Sequence, residues 1–293
     1  MLAQQFVNAI SLGGVYALFA LGFTLVFGVL NIVNLAHGAI FMLGAYVALQ
    51  AVVHLHLPLS AALMAAMICT GIVGWSLDKL VFAPLRSRRA PHLAPMVATI
   101  GLAIVLTSAV EGFFGAQNLR FPVETLPVDS VSLGGVRITW LELRIVFLAF
   151  LLMGVLLWGL KKTRVGCALR GLAESPKAAA LLGVNVDGLF RVTSVLAALL
   201  GGASGVLIAL YTNAVFPQMG QPMLHKGIAV VILGGMGDIR GALIGGFFLG
   251  IAEVFSVAYI GSTMRDAVAF GLLFIVLLLR PEGLFGQVPQ RRA

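Results

Sequence analysis

The sequence predicts an all-α, multi-pass membrane protein of about 8–9 transmembrane helices with broken or re-entrant segments, in a single domain over residues 1–293. Composition is the first ground. Of the residues 60% are hydrophobic and 10% charged, and mean hydropathy is +1.05, a balance that water could not hold in solution. The second ground is that Asp, Glu, Lys and Arg are absent from Met1 to Leu77. Membrane barrels alternate polar and apolar residues in strands of about 10, so this stretch must cross as helices, which satisfy their backbone internally. The third is the placement of the +8 net charge in short connections, not on a continuous face. That is the positive-inside pattern, and it argues against nucleic acid as a partner.

A helix rising about 1.5 Å per residue crosses a hydrocarbon core of roughly 30 Å in about 20 residues. Apolar runs near that length lie at 6–30, 36–54, 59–82, 95–116, 141–160, 189–212 and 263–279. The stretch 224–260 is interrupted by Gly234, Gly235, Gly237, Asp238, Arg240 and Gly241, and reads as two short passes or a re-entrant pair. The N-terminus lacks the positively charged region of a signal peptide and its apolar run is too long for one, so the first span is expected to be retained. Cys69 falls in a span and Cys167 in a charged loop, which gives neither a disulfide nor a metal-ligand spacing.

Orientation follows from the basic loops. Arg86, Arg88 and Arg89 follow the third span, and Lys161, Lys162, Arg164 and Arg170 follow the fifth, so both loops are expected in the cytoplasm. Residues 54–59, 117–140 and 213–223 then fall outside with the N-terminus, and Arg280, Arg291 and Arg292 mark a cytoplasmic C-terminus. Within the extracytoplasmic loop 117–140, Gly134-Gly135 between Val131–Leu133 and Val136–Thr139 predicts a small hairpin.

Two segments carry the polar and glycine signals expected of a transport path. In the first, Asn31, Asn34 and His37 recur at spacings of three and share a face of any helix there; they line a path or bond neighbouring helices. In the second, Gly237, Gly241 and Gly245 recur every four residues beside Gly234 and Gly235, which allows close backbone approach. Thr212 and Asn213, at the end of a later span, are further polar candidates for the path. Glu111 and Glu253 sit in or at the edge of apolar spans, where an isolated charge is expensive; Glu253 is expected to be paired or near the interface.

Residues 161–188 form a charged island between apolar spans. Ser175 is a good N-cap, Pro176 suits the first helical position, and Lys177, Ala178, Ala179, Ala180, Leu181 and Leu182 form a helix of roughly two turns ended by Gly183. Asn185 or Asp187 is placed to cap the next helix. A separately capped short helix in a cytoplasmic loop is expected to have nothing of its own chain to bury against, which suits a docking element.

Gly13-Gly14-Val15-Tyr16-Ala17-Leu18, Asn31 to Gly38 with Ala45-Tyr46, the island Arg170 to Asp187, the segment Lys226 to Gly246 and the ending Arg280-Pro281-Glu282-Gly283-Leu284-Phe285-Gly286 occur in order over nearly the whole chain. Together they resemble the LivH-type inner-membrane permeases of branched-chain amino acid ABC importers. The resemblance implies a homologous LivM-type permease, two cytosolic ABC ATPase subunits and an extracytoplasmic substrate-binding protein as partners, in contact with membrane lipid. It also implies that Glu174 to Leu182 is the coupling helix seated on an ATPase subunit. No G-x-x-x-x-G-K-[ST] phosphate loop occurs in the chain, so ATP and Mg belong to the partner ATPases and no cofactor is expected here. Relatives of this kind carry leucine, isoleucine, valine, other amino acids, urea or short amides. A urea or short-amide permease and a stand-alone secondary transporter are the rival expectations; an enzyme would need a convergent acid, base or metal cluster, which the sequence lacks.

Overall fold

A computed structural model describes residues 2–91, 93–125, 129–133, 136–280 and 283–285. Helix α1 (Leu2–Leu30) is its axis, buried without a break from Ser11 to Val26. A helix apolar on every side belongs inside a bundle or in lipid, and α1 is enclosed by later elements. It is followed by α2 (His37–Val53) and α3 (Leu59–Leu77), which runs through a π-helical stretch at Asp78–Phe82 into α4 (Ala83–Ser87). The third crossing is therefore longer than the expected 59–82 and ends at Ser87. Helix α5 (Leu93–Phe114) lies on the outside of the bundle, with only Pro95, Thr99 and Val110 buried.

Strands β1 (Ser130–Leu133) and β2 (Val136–Thr139) pair antiparallel with Ser130 opposite Thr139, the expected hairpin; Gly134 and Gly135 lie outside the described residues. Helix α6 (Trp140–Lys162) starts from a capping box in which the Thr139 hydroxyl accepts from the Glu142 N–H and the Glu142 carboxylate accepts from the Thr139 N–H. The island holds two helices, α7 (Arg164–Glu174) and α8 (Pro176–Leu181), where the sequence predicts one. Helix α9 (Val186–Thr212) begins at an Asn185 cap whose side-chain oxygen accepts from Gly188 N–H at 2.9 Å.

The interrupted stretch resolves into a 15-residue helix, α10 (Gly220–Gly234), and a full-length one, α11 (Ile239–Tyr259), followed by α12 (Arg265–Leu279). Only one of the pair is short, because Gly235 and Gly237 take positive φ (102° and 89°) and turn the chain sharply between them. Among the described residues, seven helices are long and apolar enough to cross a membrane; α2 and α10 are shorter. Helix α11 runs antiparallel to α1, with Gly250 against Gly13 and Gly246 against Ala17. Helix α9 packs against α1, α2 and α3.

The bundle has two distinct ends. Arg86, Lys161, Lys162 and Arg170 gather at one, with the first turn of α9 and the island. The hairpin, the N-terminal turn of α1 and the Leu119–Val215 bridge lie at the other, where the Gln4 side chain accepts from Arg137 N–H and donates to its carbonyl. The positive-inside rule puts the basic end in the cytoplasm.

Candidate translocation and docking sites

Neither α2 nor α10 starts at a membrane surface. His37 packs against Phe19 and Gly22, roughly two to three turns, or about 12–16 Å, inside the basic end of α1. The chain leaves α1 through Asn31 in the left-handed conformation (φ 55°), and residues 31–36 fold back into the bundle before α2 begins. The same event recurs from the opposite end. Helix α9 stops at Asn213, again left-handed (φ 46°), and residues 214–219 descend to the start of α10. Asn tolerates this conformation because its short polar side chain bonds locally. The two re-entrant helices meet at their first turns, Gly38 against Gly220.

The polar residues singled out in the sequence hold these turns and do not form one lining. The Asn34 side-chain oxygen accepts from Ala36 N–H at 3.1 Å, and Leu35 N–H donates to the Thr99 hydroxyl of α5 at 3.2 Å. His37 is wholly buried; its Nε2 lies 3.3 Å from the Phe19 carbonyl and its ring contacts Phe19 and Phe23. The Asn213 side chain accepts from Phe121 N–H at 3.1 Å and so ties the 117–140 loop to the end of α9. Thr212 is exposed and donates to the Ile208 carbonyl of its own helix.

A cleft of about 510 Å³ opens beside the meeting point. Its floor is Leu35, Gly38 and Ala39 from the first re-entrant turn and Pro217, Gly220 and Gln221 from the second. One wall is the α5 face bearing Ile100, Ile104, Ser108 and Glu111; the other is α10 with Leu224, His225 and Ile228. None of Asn31, Asn34, His37, Thr212 and Asn213 borders it. Gln218, Gln221 and His225, which do border it, were not among the residues singled out in the sequence.

Two ion clusters brace the bundle. Buried Glu253 of α11 takes Lys226 of α10 at 2.7 Å and Arg265 of α12, while Tyr16 of α1 accepts from Lys226 at 3.1 Å and Asp266 lies 3.6 Å from it. The expectation that Glu253 is paired is met, by cations that sequence reasoning did not name. At the basic end, buried Asp78 is held by Arg86 at 2.9 Å and Arg191 at 3.7 Å, and Arg86 also reaches Asp187 at 3.2 Å.

The glycines of the second segment divide their work. Gly241 packs on Gly234, and a Cβ at Gly245 would lie 2.9 Å from the Val230 carbonyl, so both serve the contact of α10 with α11. Gly237 does not share their helix face, because it lies in the turn before α11, near Gly28. Gly235 is the cap of α10, and Leu284 and Phe285 donate to the Leu233 and Gly234 carbonyls.

In the island, Ser175 accepts from Ala178 N–H at 3.2 Å, Pro176 opens α8, Leu182 closes it and Gly183 follows at φ 81°. The helix is not wholly without support, since Ala179 is buried on Leu172 of α7 and Phe190 of α9. Leu181 and Leu182, by contrast, are 89% and 83% exposed at the basic end. Arg86 stacks 4.5 Å above the Phe190 ring, which links the seat of α8 to the Asp78 cluster.

An apolar bundle with paired re-entrant helices and buried charge clusters belongs to the class of membrane transport proteins. The chain belongs to the family described as branched-chain amino acid transport system / permease component, whose model matches residues 5–277. It is 35% identical to the high-affinity branched-chain amino acid transport system permease protein BraD of Pseudomonas aeruginosa, over 97% of this chain and 95% of that one. It is 33% identical to LivH of Escherichia coli strain K12 over the same shares, and 29% identical to a probable LivH of Methanocaldococcus jannaschii over 95% and 91%. No solved structure matches it. The chain is thus a permease component and a multi-pass inner-membrane protein, not an enzyme in its own right.

Proposed function

We infer that this chain imports branched-chain or related amino acids as one half of a permease pair, together with a homologous LivM-type permease, two cytosolic ABC ATPase subunits and an extracytoplasmic binding protein. The observation that carries the reading is the pair Leu181 and Leu182, left 89% and 83% exposed on a capped helix at the cytoplasmic end. Two such leucines in water are costly unless a partner covers them, and a partner that hydrolyses ATP supplies what this chain lacks, a phosphate loop. ATP and Mg bind there; the permease itself takes no cofactor.

Glu174 to Leu182 is the coupling element in this reading. A push on α8 bears through Ala179 on Phe190, at the first turn of α9, and through Arg86 on Asp78 of the third crossing. Those crossings frame the two re-entrant turns, and a small rotation there exposes the path alternately to either side. Asn31, Asn34, His37, Thr212 and Asn213 shape the path by fixing the turns; Gly234, Gly241 and Gly245 keep α10 and α11 in close register.

The test is reconstitution with the four partner types and uptake of labelled leucine and of labelled urea, with and without ATP. ATP-dependent leucine uptake supports the reading. Urea uptake alone would move the substrate and keep the mechanism, and uptake without ATP would defeat it.

A further inference from the structure

We propose that the cleft between α5 and the opening turns of α2 and α10 binds a free zwitterionic amino acid by both charged ends and reads its side chain. The inference rests on the importer reading and deepens it: the permease inspects the substrate itself, after the delivering protein has released it.

The first support is the polarity of two facing walls between the middle of the bundle and its extracytoplasmic end. Gln218, Gln221 and His225 are exposed along one side of the α10 segment, and Ser108 stands exposed beside Glu111 on α5. Polar side chains at this depth are expensive against lipid tails and turn toward protein or water. All five border one space, whose volume of about 510 Å³ lies in the range of small-molecule sites, about 300–1,000 Å³.

The second is the distribution of charge. Glu111 is the sole carboxylate of the lining, and among the described residues neither Lys nor Arg borders the cleft. A cationic end therefore has one ionic partner, and an anionic end must be met by neutral donors. The Gln218 and Gln221 amides supply donors at the floor, next to the first turns of α2 and α10. Those turns begin after Ala36 and Met219 with no side chain capping their N–H groups, and their dipoles favour negative charge. An amine alone or an organic acid alone would match half of this arrangement; an α-amino acid matches both halves.

The third is the remaining lining. Ile100, Ile104, Leu224 and Ile228 offer a dry aliphatic surface between the polar ends, the complement of an aliphatic side chain and a poor host for a charged one.

The test uses the assembled importer in nanodiscs, open on both faces, with Cys69 and Cys167 replaced by Ser and Ala103→Cys, a lining position with no binding group, as reporter. Millimolar leucine should slow labelling of that cysteine by a charged thiol reagent at least threefold. Leucinamide and isocaproate, which each lack one charged end, should protect less. Glu111→Gln should abolish protection by leucine and lower ATP-dependent leucine uptake at least tenfold while the ATPase subunits still copurify. Thr107→Cys provides a second reporter one turn along α5 should the first perturb the assembly. Equal labelling of both reporters with and without leucine, in an importer that takes leucine up, would overturn the site. If the unmodified assembly takes up no amino acid with ATP, the importer reading fails instead, which keeps the two failures apart.

Discussion

Gly38 and Gly220 meet backbone to backbone inside the membrane, and a methyl group on Gly38 would lie 2.5 Å from the Gly220 carbonyl oxygen. Neither residue has positive φ, so glycine is required here by space and not by backbone conformation. The contact joins two helices that enter from opposite ends of the bundle, and any side chain there must push them apart.

Gly38→Val is accordingly expected to separate the two re-entrant turns, at a cost of about 1–3 kcal/mol of overpacking. The check is the thermal unfolding midpoint of the purified permease pair in detergent. A midpoint equal to that of the parent would mean the contact is loose enough to absorb a side chain.

Glu253 is the shared acceptor of Lys226 and Arg265. Glu253→Leu should lower stability by about 3–5 kcal/mol, because two cations then lose a common buried partner. Adding Lys226→Met should recover part of that loss, since the unpaired charge disappears with it. A double-mutant cycle measures the coupling, and strict additivity would refute the pairing.

Arg86 is the bridge between Asp78 and Asp187. Arg86→Ala should cost about 1.5–3 kcal/mol, the worth of a hydrogen bond to a charged group, with most of the loss from buried Asp78 and little from exposed Asp187. Asp78→Asn in the same background should restore some of it. Chemical denaturation of the three variants gives the comparison, and an equal effect from Asp187→Asn would place the energy at the surface instead.

Leu181→Asp with Leu182→Asp should leave the fold intact, because both side chains point away from the protein's own core. The pair should nevertheless reduce copurification of the ATPase subunits at least tenfold and abolish ATP-driven uptake. Retention of both properties would remove the island from the coupling role.

The crossings were legible because an apolar run of about 20 residues has one solution in lipid, and α8 was legible because Ser175, Pro176 and Gly183 punctuate it. The start of α2 was not. Ile32, Val33 and Leu35 read the same whether they lead into a helix at the surface or fold back into the bundle, and what decides it is contact with Phe19, Gly201 and Gly220, far away in the chain. The partners of Glu253 were hidden for the same reason: Lys226 lies 27 residues earlier, and hydrophobic patterning carries no record of which charges meet. Gln218, Gln221 and His225 are the instructive case. Their helical spacing was on view, but the depth at which they sit follows from the descent of residues 214–219, and without that depth they read as an ordinary loop edge.

The brevity of α2 has a consequence for how the protein is made. At 17 residues, with a first turn that opens inside the bundle, it is a weak candidate for leaving the translocon alone, since a stable solitary span needs about 20 residues. Its lasting neighbour on one side, α9, begins at Val186. At about 5–20 residues per second, the ribosome takes roughly 7 to 27 seconds to reach that point after α2 is complete. Through that interval the segment must be held by α1 and α3 or by the insertion machinery, and a mutation that weakens α1 against α2 would appear first as degradation of the nascent chain, before any effect on transport is visible.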